Sequence, residues 1–237
     1  RSTLSSSSAA SDVYKRQLLG DFSVSNLKVV IDPGHGGYFS GATGRTGLEE
    51  KTVNLDIALK LEKLLKDAGA KVWLTRRTDC AMCTIPETPA SERRKAWRQD
   101  LCMRPALADK VGADLFISIH ANANDLNNPH PRSGTEVYYY PTPKAELLAA
   151  ALQKNLVSKL QRNDRGTFAN DKFWVLKQAN VPAALVEVAY LNVEEEEKLL
   201  ATDEFRAKAA EGIFFGLKEF WEAGGHKLPR NKAVHGV

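Results

Sequence analysis

A chain of 237 residues with 43% hydrophobic and 26% charged residues has the length and apolar content of one globular domain, which excludes a disordered chain. No apolar run approaches the ~18 residues that a membrane-spanning helix needs. The net charge of +4 and pI near 8.9 fit an anionic partner without requiring one; nucleic acid is not expected as that partner.

The first residues, RSTLSSSSAASDVYKRQ, are Ser/Ala-rich and then charged. They lack the ~7–15-residue apolar core of an intact signal peptide, so residues 1–26 read as a leader, non-native or processed, outside the fold. LKVVID (27–32) is a buried strand stopped by Pro33-Gly34. Val53, Ile57, Leu61, Leu64 and Leu65 recur at helical spacing, and Gly69 stands where a helix ends. KVWLTR (71–76), DLFISI (114–119) and GTEVYYY (134–140) are further strands. Leu147, Leu148, Ala151, Leu152, Leu156 and Leu160 mark a helix. FWVL (173–176) reads as a short extra strand and AALVEVAYL (183–191) as a fully buried one. Phe205, Ala209, Ile213, Leu217, Phe220 and Trp221 mark a last amphipathic helix over 203–222, and the segment 224–237 reads as a loose tail. Strands alternating with helices predict an α/β fold, a single-domain sandwich with a largely parallel twisted sheet flanked by helices.

In such sheets ligands sit beyond the carboxyl ends of the strands. His35 follows the first strand in DPGHGG, and His120 follows the third in SIHAN. Glu49 and Glu50 open the first helix, and Glu187 lies inside the apolar run ALVEVAYL. Two histidines and a carboxylate form a common catalytic zinc set that leaves one position for water, and a second carboxylate then serves as proton shuttle. Each residue alone has a plainer explanation: a capping histidine, an acid at the positive end of a helix, a satisfied core histidine. Glu187 is the hardest to explain that way, because an unpaired charge among apolar neighbours is costly.

The stretches VVIDPGHGG, GLEEKTVNLDIALKLEKLL, ADLFISIHANA, GTEVYYY, RGTF and VPAALVEVAYLNVEEEEKLL resemble, in order, the zinc-dependent N-acetylmuramoyl-L-alanine amidases of the amidase 3 type. The resemblance runs from about residue 27 to 222 and implies a catalytic domain over 27–223. It implies one Zn2+ per chain, with His35, Glu50 and His120 as ligands; Glu50 is chosen over Glu49 because the family's glutamate directly precedes the lysine, here Lys51. It implies Glu187 as the catalytic glutamate and a substrate contact at Asn122. The substrate implied is peptidoglycan, cut between N-acetylmuramic acid and L-alanine by a monomer acting in the periplasm or after secretion. A zinc peptidase acting on cell-wall peptides and a non-catalytic wall-binding module are the alternative readings.

Two departures from the family pattern stand out. CAMCTIPETPASERRKAWRQD, about residues 80–100, is an insertion between the TRxxD segment and the L-x-x-R segment. It follows a strand that ends beside His35 and His120, so it should stand at the rim of the cleft and offer Arg94 and Trp97 to substrate, a cation for carboxylates and a ring for a sugar face. Cys80, Cys83 and Cys102 bracket it, either as one bridge with one free thiol or as three free thiols. The second departure is a short span after His120, with no room for the site-blocking helix that some relatives carry there.

Overall fold

The computed structural model describes residues 24–86, 89–125 and 131–225. Six strands form one sheet in the order β2-β1-β3-β6-β4-β5: β1 (Lys28–Pro33), β2 (Lys71–Leu74), β3 (Leu115–Asn122), β4 (Thr135–Tyr139), β5 (Asp164–Ala169) and β6 (Ala183–Tyr190). All neighbours are parallel except β4 and β6. The α/β architecture expected from the alternating elements is therefore present, with one antiparallel seam.

Strand alternation assigns the two faces. Val29 and Ile31 of β1, Ile117 and Ile119 of β3, and Val186 and Val188 of β6 point into the larger core. Three helices close that side: α1 (Glu50–Asp67), α3 (Pro143–Leu160) and α6 (Asp203–Glu222). α1 buries Val53, Ile57, Leu61 and Leu65 at four-residue steps and ends at Ala68, with Gly69 next in the left-handed region. Thr142 and Thr202 cap α3 and α6 by accepting from the Ala145 and Phe205 amides. α3 and α6 approach closely at Gly212 and Gly216, where a Cβ would stand 3.0 and 2.7 Å from the Leu156 and Leu152 Cα atoms. A short α5 (Glu194–Leu200) packs between β6 and α6.

The opposite face carries a smaller core around Val30, Phe116 and Leu185. It is covered by α2 (Ala90–Val111) and the single turn α4 (Trp174–Lys177). Here the structure corrects the sequence reading in three places. FWVL is a turn of helix rather than a strand, with Val175 and Leu176 turned inward. The RGTF segment is an edge strand, β5, which was not expected. The second half of the insertion, from Ala90, is the first half of the long helix α2, continuous with the L-x-x-R segment.

At the amino end Val24 is buried in the main core, and its amide donates to Ala68 O, so the packed chain includes residues assigned above to the leader. Residues 1–23 of that leader and 226–237 of the tail lie outside the described residues. Cys80, Cys83 and Cys102 are free thiols. No helix among the described residues is long and apolar enough to cross a membrane.

Candidate active site

β1, β3 and β6 run parallel, so their carboxyl ends share one edge. β1 delivers the loop Gly34–Gly37 to that edge, β3 delivers His120, and β6 places Glu187 at the register position of His120. The amino end of α1 brings Glu50 over the same edge. One Glu50 oxygen, Oε1, lies 2.8 Å from His120 Nδ1 and 3.2 Å from His35 Nε2. The two imidazoles meet edge to face with centroids 4.9 Å apart. One donor atom from each of His35, Glu50 and His120 lies within 4.8 Å of the others, the only such group of three found among the described residues.

This donor set fits a zinc ion. With ligand bonds of ~2.0–2.1 Å, neighbouring ligands of a tetrahedral site stand roughly 3.3 Å apart, close to the two distances measured. The Glu50 carboxyl is ionised well below the usual carboxylate range. Burial pushes it up, but bonds from His120 and His35 outweigh that and hold it down. Its outer contacts orient it: Ala42 N donates to Oε2 at 2.8 Å, and Asn54 Nδ2 donates to Oε1 at 3.2 Å.

The loop carrying His35 is held in a conformation that a histidine disfavours. His35 has φ 62°, left-handed and non-glycine, which costs of order 1–2 kcal/mol. Two buried arginines impose it. Arg104 of α2 donates to His35 O at 3.0 Å and to Asp32 Oδ1 at 2.9 Å. Arg76 donates to Pro33 O at 2.9 Å and to Gly34 O at 3.0 Å. Gly34 leaves no room for a side chain, since a Cβ there would lie 2.2 Å from the His120 ring. Asp32 anchors the assembly by accepting from Thr75 Oγ1 at 2.6 Å and Ser118 Oγ at 2.8 Å. Burial pushes the Asp32 carboxyl up, but the Arg104 guanidinium and the two hydroxyls hold it below its ordinary value.

Glu187 is buried, and its Oε2 has no hydrogen-bond partner. Burial, together with the charges of Glu50 and Glu136, pushes its carboxyl well above the usual range. Such an orphaned acid facing a cleft is placed to take or give a proton. Glu136 stands opposite it across the β4–β6 seam and, unlike it, is fully hydrogen-bonded. Its Oε1 accepts from Asn122 Nδ2 at 2.6 Å, Tyr138 OH at 2.8 Å and Tyr190 OH at 3.1 Å, and its Oε2 from Arg165 Nε at 3.0 Å. Burial and this carboxylate push the Tyr190 phenol up to about 12. Glu136 was not singled out from the sequence, although the reasoning applied to Glu187, an acid inside an apolar strand, applied to GTEVYYY as well.

A cleft of about 390 Å3 opens beside these groups, with His35, His120 and Glu187 on its lining. Trp97, 42% exposed, lines it from α2 as the insertion predicted. Arg94 is exposed on the same helix but is not among the lining residues, and Asn122 is turned to Glu136. Lys172, Phe173 and Trp174 also line it; none of them was singled out beforehand as a site residue.

Two imidazoles on one carboxylate, with a second unsatisfied carboxylate beside them at the edge of a parallel sheet, are groups from which a hydrolytic centre can be built. The family described as N-acetylmuramoyl-L-alanine amidase matches residues 29–219, and the chain belongs to it. It is 35% identical over 196 residues to the N-acetylmuramoyl-L-alanine amidase LytC of Bacillus subtilis, which covers 81% of this chain and 35% of LytC. The chain thus spans about a third of that relative's length. It is 34% identical to the germination-specific N-acetylmuramoyl-L-alanine amidase of the same organism, covering 83% of this chain and 81% of that protein. Among solved structures, the CwlD amidase of Clostridioides difficile in complex with the GerS lipoprotein superposes with a TM-score of 0.77 at 28% identity, covering 84% of this chain and all of that one.

Proposed function

We propose that this chain is a zinc-dependent N-acetylmuramoyl-L-alanine amidase that hydrolyses the amide between N-acetylmuramic acid and L-alanine in peptidoglycan, acting as a monomer outside the cytoplasm, in the periplasm or after secretion. The observation that carries the reading is the His35–Glu50–His120 cluster with the orphaned Glu187 carboxylate beside it, in a chain of this family. His35, Glu50 and His120 hold the ion. Zinc bound there would lower the pKa of a water molecule and polarise the scissile carbonyl.

The protein's own groups do the rest. Glu187 takes the proton from the attacking water and hands it to the departing alanine nitrogen. Its Oε2 has no hydrogen-bond partner in the fold, so it is free to take that proton and return it. Arg104 and Arg76 fix the strained His35 loop, so that the donor atoms need not reorganise when the ion binds. Glu136 and its four donors fix the strand opposite Glu187. Trp97 stands where a sugar ring can stack.

The test is digestion of purified peptidoglycan followed by mass analysis. Free stem peptides with L-alanine at the amino end are expected, and their loss on chelation with recovery on adding zinc. Glu187→Gln should keep its zinc and lose on the order of 10²-fold or more in rate. Release of sugars with the stem peptide still attached, or full turnover in chelator, refutes the proposal. Among the described residues no helix lies between His120 and β4, so the purified domain should digest without a partner protein.

A further inference from the structure

The cleft joins two unlike groups of side chains. His35, His120 and Glu187 belong to its lining, and so, from α4 and the residues just before it, do Lys172, Phe173 and Trp174. Most charges lining the cleft are already neutralised. Arg104 is paired with Asp32 at 2.9 Å and with Asp100 at 2.7 Å. Lys172 is the exception: it is exposed on the cleft, and no carboxylate among the described residues lies within ion-pair distance of it. The cations of the insertion do not fill that role. Arg94 points elsewhere, and Lys95 pairs with Glu92 at 2.7 Å.

We infer that Lys172, set against Phe173 and Trp174, is a specificity residue that reads the free carboxylate of the acidic residue following L-alanine in the stem peptide. This rests on the amidase reading above and adds to it which peptide chemistry is preferred. Distance supports the assignment. An extended residue spans ~3.3–3.6 Å, so the second residue's carboxylate lies roughly 7 Å from the amide being cut, and Lys172 lines the same cleft as His35, His120 and Glu187. Chemistry supports it too. The lactyl carboxyl of the sugar is consumed in the scissile amide, so the second residue carries the first free anion on the peptide side. An ammonium on a flexible stem suits a single carboxylate that also meets water. Amidation of that carboxyl keeps its size and removes its charge, so it isolates the interaction.

The experiment uses two defined muropeptides that differ only in whether the second residue's carboxyl is free or amidated. The zinc-loaded protein is compared with Lys172→Gln, Lys172→Glu and Lys172→Arg; position 172 is exposed, so the variants should fold. The parent should favour the free acid by about three- to tenfold in kcat/KM, the scale of one partly exposed charge-assisted contact. The difference should sit in KM and shrink with salt. Lys172→Gln should bring the ratio close to one, Lys172→Glu should invert it, and Lys172→Arg should keep it. Equal turnover of both substrates by the parent, or a ratio that survives Lys172→Gln and Lys172→Glu, overturns the inference while leaving the amidase reading intact. Failure of the parent to release alanine-terminated peptide from either substrate overturns both.

Discussion

On one face of the sheet Ile31, Ile119 and Val186 turn into a closed apolar core; on the other their immediate neighbours Asp32, His120 and Glu187 turn toward the cleft. The same strands therefore carry two different economies. Each apolar side chain buried on the first face contributes ~1.5–3 kcal/mol. On the second face, ion pairs such as Arg104 with Asp32 and Asp100 roughly break even against the cost of leaving water. They contribute position instead, holding the His35 loop where its backbone is strained. The larger core lies on one side of the sheet, and the smaller core shares the other side with the buried charged groups.

Substitutions on the two faces should separate these roles. Arg104→Ala strikes the polar face hardest, because it leaves Asp32 and Asp100 buried without a counter-charge. It should cost ~3–5 kcal/mol in denaturant unfolding and weaken zinc retention; a loss under ~1 kcal/mol would show that the network is not holding the loop. Ile213→Ala removes a fully buried side chain from the apolar face and should cost ~2–5 kcal/mol. Turnover per folded, zinc-loaded molecule should stay at the parent value, and a fall in kcat would mean that the two faces are coupled. The smallest effect concerns acid. The Asp32 carboxyl is held below its ordinary value in the fold, so its contribution is present above the unfolded-state pKa of ~3.9 and fades as pH falls through the lower folded value. Asp32→Asn should flatten that acid limb of the stability profile, and an identical slope in both proteins would assign it to other carboxylates.

The apolar face was legible in the sequence because its signal is periodic hydrophobicity: Val53, Ile57, Leu61 and Leu65 announce α1 without help. The polar face was not. α2 buries Ala96, Asp100, Arg104 and Ala108 at four-residue steps, a regular stripe whose middle members are charged, so a hydrophobic pattern is silent there. Pro105 inside the helix argues locally against it. β5 is a half-exposed edge strand, and α4 is a four-residue turn, WVLK, too short for period to tell strand from helix. His35, Glu50, His120 and Glu187 were nameable because family motifs carry them, and the structure brings them to one sheet edge. Glu136 and Lys172 lie outside the motif logic that was applied: one is hidden by its saturated hydrogen bonds, the other is an ordinary surface lysine until the fold sets it on the cleft.

The strand order has a consequence for how the molecule is made. β6, residues 183–190, is inserted between β3 and β4, both of which are synthesised well before it. Until it arrives, β3 presents an unpaired edge carrying Phe116, Ile117 and Ile119, the kind of surface on which incomplete chains associate wrongly. The last long-range pairing is also the one that sets Glu187 beside His120. A nascent or truncated chain ending before residue 183 therefore carries His35, Glu50 and His120 and still lacks the acid beside them. The His120–Glu187 pair is therefore complete only when the sheet is complete.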